Sequence, residues 1–186
     1  LSIPDWNMAG VVPPIRPGAN PAGKNRSPYK VSLIDFADRF CLSAERLKIL
    51  NGFIDLRAGL HSIGLTQGFQ WIDGSFLEHI EDTEGRSPND VDVVTYAFLP
   101  AGETQLTFMS TLQPYMDRQA VKNLYKVDHF IKILPQLNIH DICYWYSLWS
   151  HRRDGMWKGY AEVDLAPTDD AQAKSLLATK SSGFQP

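Results

Sequence analysis

The chain reads as an α+β domain: a mixed β-sheet with helices mainly on one side, an N-terminal helical hairpin and a C-terminal β-hairpin. Three observations lead there. Two capped stretches with helical spacing stand near the start. Three apolar runs with strand character follow, the last two separated by a short helical piece. Two aromatic runs then meet at an Asp-Gly pair. A length of 186 residues suits one domain around one core.

The elements follow in order. Residues 1–30 carry prolines at 4, 13, 14, 17, 21 and 28. Proline removes backbone donors and fixes φ, so this segment is expected to be an extended arm, not a helix. Ile3, Trp6, Val11, Val12 and Ile15 suggest that the arm packs along the body of the domain. Residues 31–165 form that body. Ser32 is placed to cap a first helix whose apolar stripe is Leu33, Phe36, Ala37 and Phe40. Ser43 is placed to cap a second, longer one, with Leu47, Leu50, Ile54 and Leu60 near one face.

"GFQWIDG" (68–74), "DVDVVTYAFL" (90–99) and "KVDHFIKIL" (126–134) read as strands. "QAVKNLY" (119–125) reads as a short helix. "DICYWYSLWSHRRDGMWKGYAEVDL" (141–165) reads as a hairpin turning at Asp154-Gly155. As a strand it would place Tyr144 and Tyr146 on one face, Trp145 and Trp149 on the other. Residues 166–186 lose periodicity and are expected to be a surface tail, partly helical around 171–178.

The totals exclude several classes. A net charge of −3 gives no basic face for a nucleic-acid duplex. No apolar run reaches the length of a membrane span, and the start has no signal-peptide pattern, so a cytoplasmic protein without membrane contact is expected. Cys41 and Cys143 sit in apolar surroundings and are expected to be buried free thiols. The five histidines have no zinc spacing, and neither a nucleophile elbow nor a P-loop is present.

The chemistry concentrates between Trp71 and Val94. Asp90 and Asp92 are one residue apart at the head of a strand, so they share a face while Val91 and Val93 face the core. Two carboxylates this close raise each other's pKa unless a cation lies between them, and hard oxygen ligands of this kind suit Mg²⁺. Gly74 permits a tight turn after the preceding strand. A short helix starting at Ser75 would offer free N–H groups to phosphate oxygens.

This combination of Gly74-Ser75 followed by Asp90-x-Asp92 resembles the signature of the DNA polymerase beta-like nucleotidyltransferase superfamily. More narrowly, "WIDGSF" with "PNDVDVV" resembles short bacterial nucleotidyltransferase-like proteins. The resemblance implies a nucleotidyltransferase-like sheet. It also implies an enzyme that moves a nucleoside monophosphate from a triphosphate such as ATP to a hydroxyl on RNA, protein or a small molecule. Mg²⁺ or Mn²⁺ would be the cofactor. Asp90 and Asp92 would be the metal ligands, and Gly74 and Ser75 would hold phosphates. Asp128 would be the third catalytic and metal-binding acid, with Asp164 as its competitor. Lys126, placed beside Asp128 by alternation, is the candidate phosphate-binding cation among Lys122, Lys126, Lys132, Arg152 and Arg153. Small bacterial relatives suggest a toxin–antitoxin or defence setting.

One departure stands out. The segment after Ser75 carries Glu78, Glu81, Asp82 and Glu84, expected as a solvated helix face, and otherwise as weakening nucleotide binding or contacting a basic partner. Two other functions fit the same residues: a non-catalytic interaction protein on this fold, and a metal-dependent phosphatase or nuclease.

Overall fold

A computed structural model describes residues 2–134 and 136–184. It is an α+β fold with a mixed five-stranded sheet of order β1-β5-β2-β3-β4. The strands are β1 (Tyr29–Val31), β2 (Gly68–Asp73), β3 (Val91–Phe98), β4 (Val127–Leu134) and β5 (Ala161–Asp164). β1 runs parallel to β5, β2 runs antiparallel to both β5 and β3, and β3 runs parallel to β4.

The first two helices form where their caps predict. α1 (Leu33–Phe40) is capped by the Ser32 hydroxyl, which accepts from Asp35 N, and its buried residues are Leu33, Phe36, Ala37 and Phe40. α2 (Ala44–Ser62) is capped by Ser43, which accepts from Arg46 N. The parallel step from β3 to β4 needs a crossover. α4 (Gln105–Met116) and α5 (Arg118–Tyr125) supply it. α3 (Ile80–Thr83) is a single turn between β2 and β3.

Alternation sorts the sheet into two faces. Gln70, Thr95 and His129 point toward α2 and form a buried polar chain. Arg57 Nη1 donates to Gln70 Oε1 at 2.6 Å, Gln70 Nε2 donates to Thr95 Oγ1 at 2.8 Å, and Thr95 Oγ1 lies 2.8 Å from His129 Nε2. Trp71, Tyr96 and Phe130 point the other way. They meet α6 (Ile139–Trp149) through Phe130–Trp145 and Trp71–Tyr146 ring contacts at 4.6 and 6.5 Å.

The C-terminal hairpin expected over 141–165 is not formed. Its first half is α6, and only Ala161–Asp164 is a strand. The reason is visible in the aromatics. Trp145 and Trp149 are four residues apart and both buried, whereas Tyr144 and Tyr146 remain partly exposed. The spacing that matters is i, i+4, and it overrides the local β-propensity of the aromatic run. Asn138 caps this helix by accepting from Asp141 N. The Asp-Gly turn does form, and His151 bridges Trp157 across it. Cys143, on the outward side of α6, is exposed rather than buried; Cys41 is buried, and neither is in a disulfide.

The segment after β5 holds α7 (Asp170–Ser181), which buries Ala173 and Leu177 and packs on α1 and α2. The helix expected around 171–178 is thus formed, largely exposed, and docked on the body by its buried residues. Arg57 fixes its start through two bonds to Asp170, at 2.8 and 2.7 Å. The N-terminal arm does pack on the body. Trp6 stacks on His79 at 4.3 Å and donates from Nε1 to Leu77 O at 2.6 Å.

Candidate functional site: a row of aspartates at one end of the sheet

β-Sheet register builds the site. Asp73 on β2 is paired with Asp92 on β3, and Asp92 is paired with Asp128 on β4. All three therefore lie side by side on the α6 face, at the same end of three adjacent strands. Directly opposed residues have Cβ atoms about 5 Å apart. Asp90 precedes Asp92 by two positions and joins the same side. The structure thus brings Asp90, Asp92 and Asp128 to one place. Asp164 lies at the far end of its strand, paired with Phe69, where its carboxylate accepts from Ala166 N.

Gly74 ends β2 with φ 86° and ψ −174°, a conformation open essentially to glycine alone. A Cβ built there would overlap Asp92 Oδ2 and stand 3.0 Å from its Cγ. The missing side chain lets the turn approach the carboxylate. Ser75 follows at the start of one 3₁₀ turn, Ser75–Leu77, shorter than the helix expected there.

Each outer acid has a cation. Arg118 holds Asp128 through two bonds, Nε to Oδ1 at 2.9 Å and Nη2 to Oδ2 at 2.8 Å. Lys122 is paired with Asp90 and stands 4.0 Å from Asp128 Oδ2. Arg118 and Lys122 are four residues apart on α5, so they present to the acids from one helix face. Lys158 serves Asp73 and Glu78, with Nζ at 3.0 and 2.8 Å from their oxygens. Asp92, in the middle, has no ion pair among the described residues.

Burial, reinforced by the charges of Asp90 and Asp128, pushes the Asp92 carboxyl up to about 6. Burial pushes Asp73 up to about 7 against the pull of Lys158. Burial alone would lower the Lys158 ammonium, but Asp73 and Glu78 outweigh it and raise it.

Three expectations change. Lys126 caps α5 in the left-handed region at φ 57°, with its side chain exposed, and has no ion pair among the described residues. The left-handed cap breaks the alternation that would have set it beside Asp128. Its carbonyl instead accepts from Val91 N, tying the strand heads together. Second, the acidic segment is not a solvated face throughout. Glu78 is 7% exposed and bonded to Lys158, and Glu81 is bonded twice by the buried Arg46, at 2.6 and 2.9 Å. Asp82 and Glu84 are exposed. Third, Lys132 is engaged by Asp141, and Arg152 by Asp154, with Arg152 Nη1 also 3.9 Å from Glu78.

Sequence reasoning missed Asp73, Arg118 and Lys158. Asp73 was legible: it alternates with Trp71 and directly precedes Gly74. Lys158 carries no local signal, because only the tertiary fold brings residue 158 beside residue 73.

The donor set consists of hard carboxylate oxygens, the ligands a divalent ion of the magnesium class takes. Asp73 Oδ1 already has Lys158 Nζ at 3.0 Å, so the acid of the row without an ion pair among the described residues is Asp92. The donor chemistry beside Asp92 fits a cation. As the side chains stand, no three acidic, histidine or cysteine groups among the described residues enclose a metal position. Two of the acids are turned onto the α5 cations instead. A broad open groove of about 690 Å³ lies elsewhere, along α4 at Leu106, Met109 and Met116, and holds none of the row.

No helix among the described residues is long and apolar enough to cross a membrane. No curated protein and no solved structure matches the chain. A model described as a family of unknown function (DUF6932) matches residues 4–164. That span is most of the chain, and the protein belongs to this family.

Proposed function

We propose that this protein is a metal-dependent nucleotidyltransferase, moving a nucleoside monophosphate from a triphosphate to a hydroxyl acceptor. The observation that carries the reading is the register of Asp92 with Asp128, with Asp90 on the same side and the Gly74 turn pressed against Asp92. Strands fix Asp92 and Asp128, and Asp90 stands just before β3. A site on strands is preorganised more tightly than one on loops.

Asp90, Asp92 and Asp128 would hold Mg²⁺ or Mn²⁺. When bound, the metal would polarise the phosphoryl oxygens and lower the pKa of the attacking hydroxyl. The chain's own groups do the rest. Asp92 has no counter-cation of its own and is the acid with most to gain from one. Gly74 keeps the turn close enough for backbone at Ser75 to meet a phosphate. Glu78, Lys158 and Asp73 form a buried knot beneath that turn, and Lys158 Nζ also donates to Gly74 O at 3.3 Å. Arg46 holds the next stretch by donating to Phe76 O and Glu78 O at 2.6 and 2.7 Å. The turn is thereby anchored from both sides and needs no ligand to form.

The acceptor, whether RNA, protein side chain or small molecule, is a matter for labelling, as is a toxin–antitoxin setting. The test of the binding half is thermal. Each of the four nucleoside triphosphates is added with Mg²⁺ and the melting temperature followed. The expected result is a rise that grows with ligand concentration for at least one nucleotide and is absent in Asp92→Asn. No rise with any of the four would contradict the reading.

A further inference from the structure

The cations around the aspartate row fall into two kinds. Lys158 is fixed: its side chain is 5% exposed, and it is bound to Asp73, Glu78 and the Gly74 carbonyl. Arg118 and Lys122 are different. Their side chains are 55% and 43% exposed, and both hang from one edge of α5 on long flexible stems. Water reaches both cations and would solvate them once separated, although the Asp128 and Asp90 side chains they hold are only 16% and 17% exposed. Yet the acids they cover, Asp128 and Asp90, flank Asp92. Arg118 also lies over the Phe130 ring at 4.1 Å, a second resting contact on the same strand.

We propose that Arg118 and Lys122 are displaceable counter-cations of the carboxylate row, holding Asp128 and Asp90 until a divalent ion takes their place. This rests on the nucleotidyltransferase reading for the identity of the ion. It adds a function for α5 that the reading does not contain. In the absence of metal, the helix neutralises acids that would otherwise repel one another. When metal enters, the guanidinium and ammonium are released at the mouth of the site. There they face whatever phosphates the metal carries. The charge balance closes: one divalent ion replaces two monovalent side chains on the acids. The two freed cations can then pair with the phosphates.

The device makes a prediction opposite to that of a simple structural role. Removing a structural ion pair weakens a site; removing a competitor strengthens it. The experiment is titration of the full chain with Mn²⁺ alone, followed by electron paramagnetic resonance of the free ion. Wild type, Arg118→Gln/Lys122→Gln and Asp92→Asn are compared. The double variant is expected to bind Mn²⁺ about three- to tenfold more tightly than wild type. In EDTA it should also melt lower than wild type, and Mn²⁺ should raise its melting temperature by more. Lys122→Gln alone, at an exposed position that folding tolerates, should show a smaller gain. Arg118→Lys in the Lys122→Gln background should return part of the competition.

Wild type that binds Mn²⁺ through Asp92, with a double variant of equal or weaker affinity, would overturn this proposal and leave the enzymatic reading standing. Absence of Mn²⁺ binding in wild type and both glutamine variants would overturn the two together.

Discussion

Gly74 and Asp92 occupy each other's space: the carboxylate stands where a side chain at residue 74 would begin. Gly74→Ala must therefore fail twice. Its φ of 86° costs an L-residue about 1–3 kcal/mol, and the new methyl displaces Asp92. The expected outcome is a modest fall in stability by urea unfolding together with a much larger loss of nucleotide-induced thermal stabilisation. Equal effects on both would place Gly74 in folding alone.

Lys158 is the fixed counter-charge of the row. Lys158→Met leaves Asp73 buried and unpaired and Glu78 with only Arg152, 3.9 Å away, a change of the kind that costs about 3–5 kcal/mol. Urea denaturation should show it directly. A loss under about 1 kcal/mol would mean that the two acids find solvent or protons without strain.

The pH dependence has a defined sign. Asp92 holds its proton more tightly in the folded chain, with its carboxyl at about 6 against an ordinary 3.8. Its contribution to stability is present below 3.8 and is lost as pH rises through about 6. His129 works in the opposite sense, since burial lowers it to about 4 and its neutral form is the folded one. The Asp92 part is therefore read as a difference. In EDTA, Asp92→Asn should gain in melting temperature relative to wild type between about pH 5 and about pH 7.5. Saturating Mg²⁺ should reverse that gain by stabilising the ionised wild type.

Asp128 and Asp164 separate by register. Asp128→Asn should abolish Mg²⁺-dependent nucleotide binding, and Asp164→Asn should leave it at the wild-type level. Isothermal titration calorimetry distinguishes them. Equal loss in both would contradict the placement of the site at the Asp73 end of the sheet.

The sequence made the central strands and their acids legible because alternation is local: Asp90, Asp92 and Asp128 announce their faces within a few residues. The helices capped by Ser32 and Ser43 were legible for the same reason. The region after residue 138 was not, because its aromatics satisfy both strand propensity and helical spacing, and only packing against Phe130 and Trp71 decides. The cations were the hardest. Lys126 is nearest to Asp128 in sequence, yet a left-handed cap turns it away, while Arg118, ten residues off, reaches back from α5. Alternation names a strand's faces; it does not say which helix will lean over them.

The central claim is tested most directly by transfer of label. Protein is incubated with Mg²⁺, cell extract and each nucleoside triphosphate labelled on its α-phosphate, with Asp92→Ala in parallel. The account predicts label fixed to an acceptor by the wild type and none by the variant. Label remaining wholly in free nucleotide with wild type, for all four triphosphates, would contradict it.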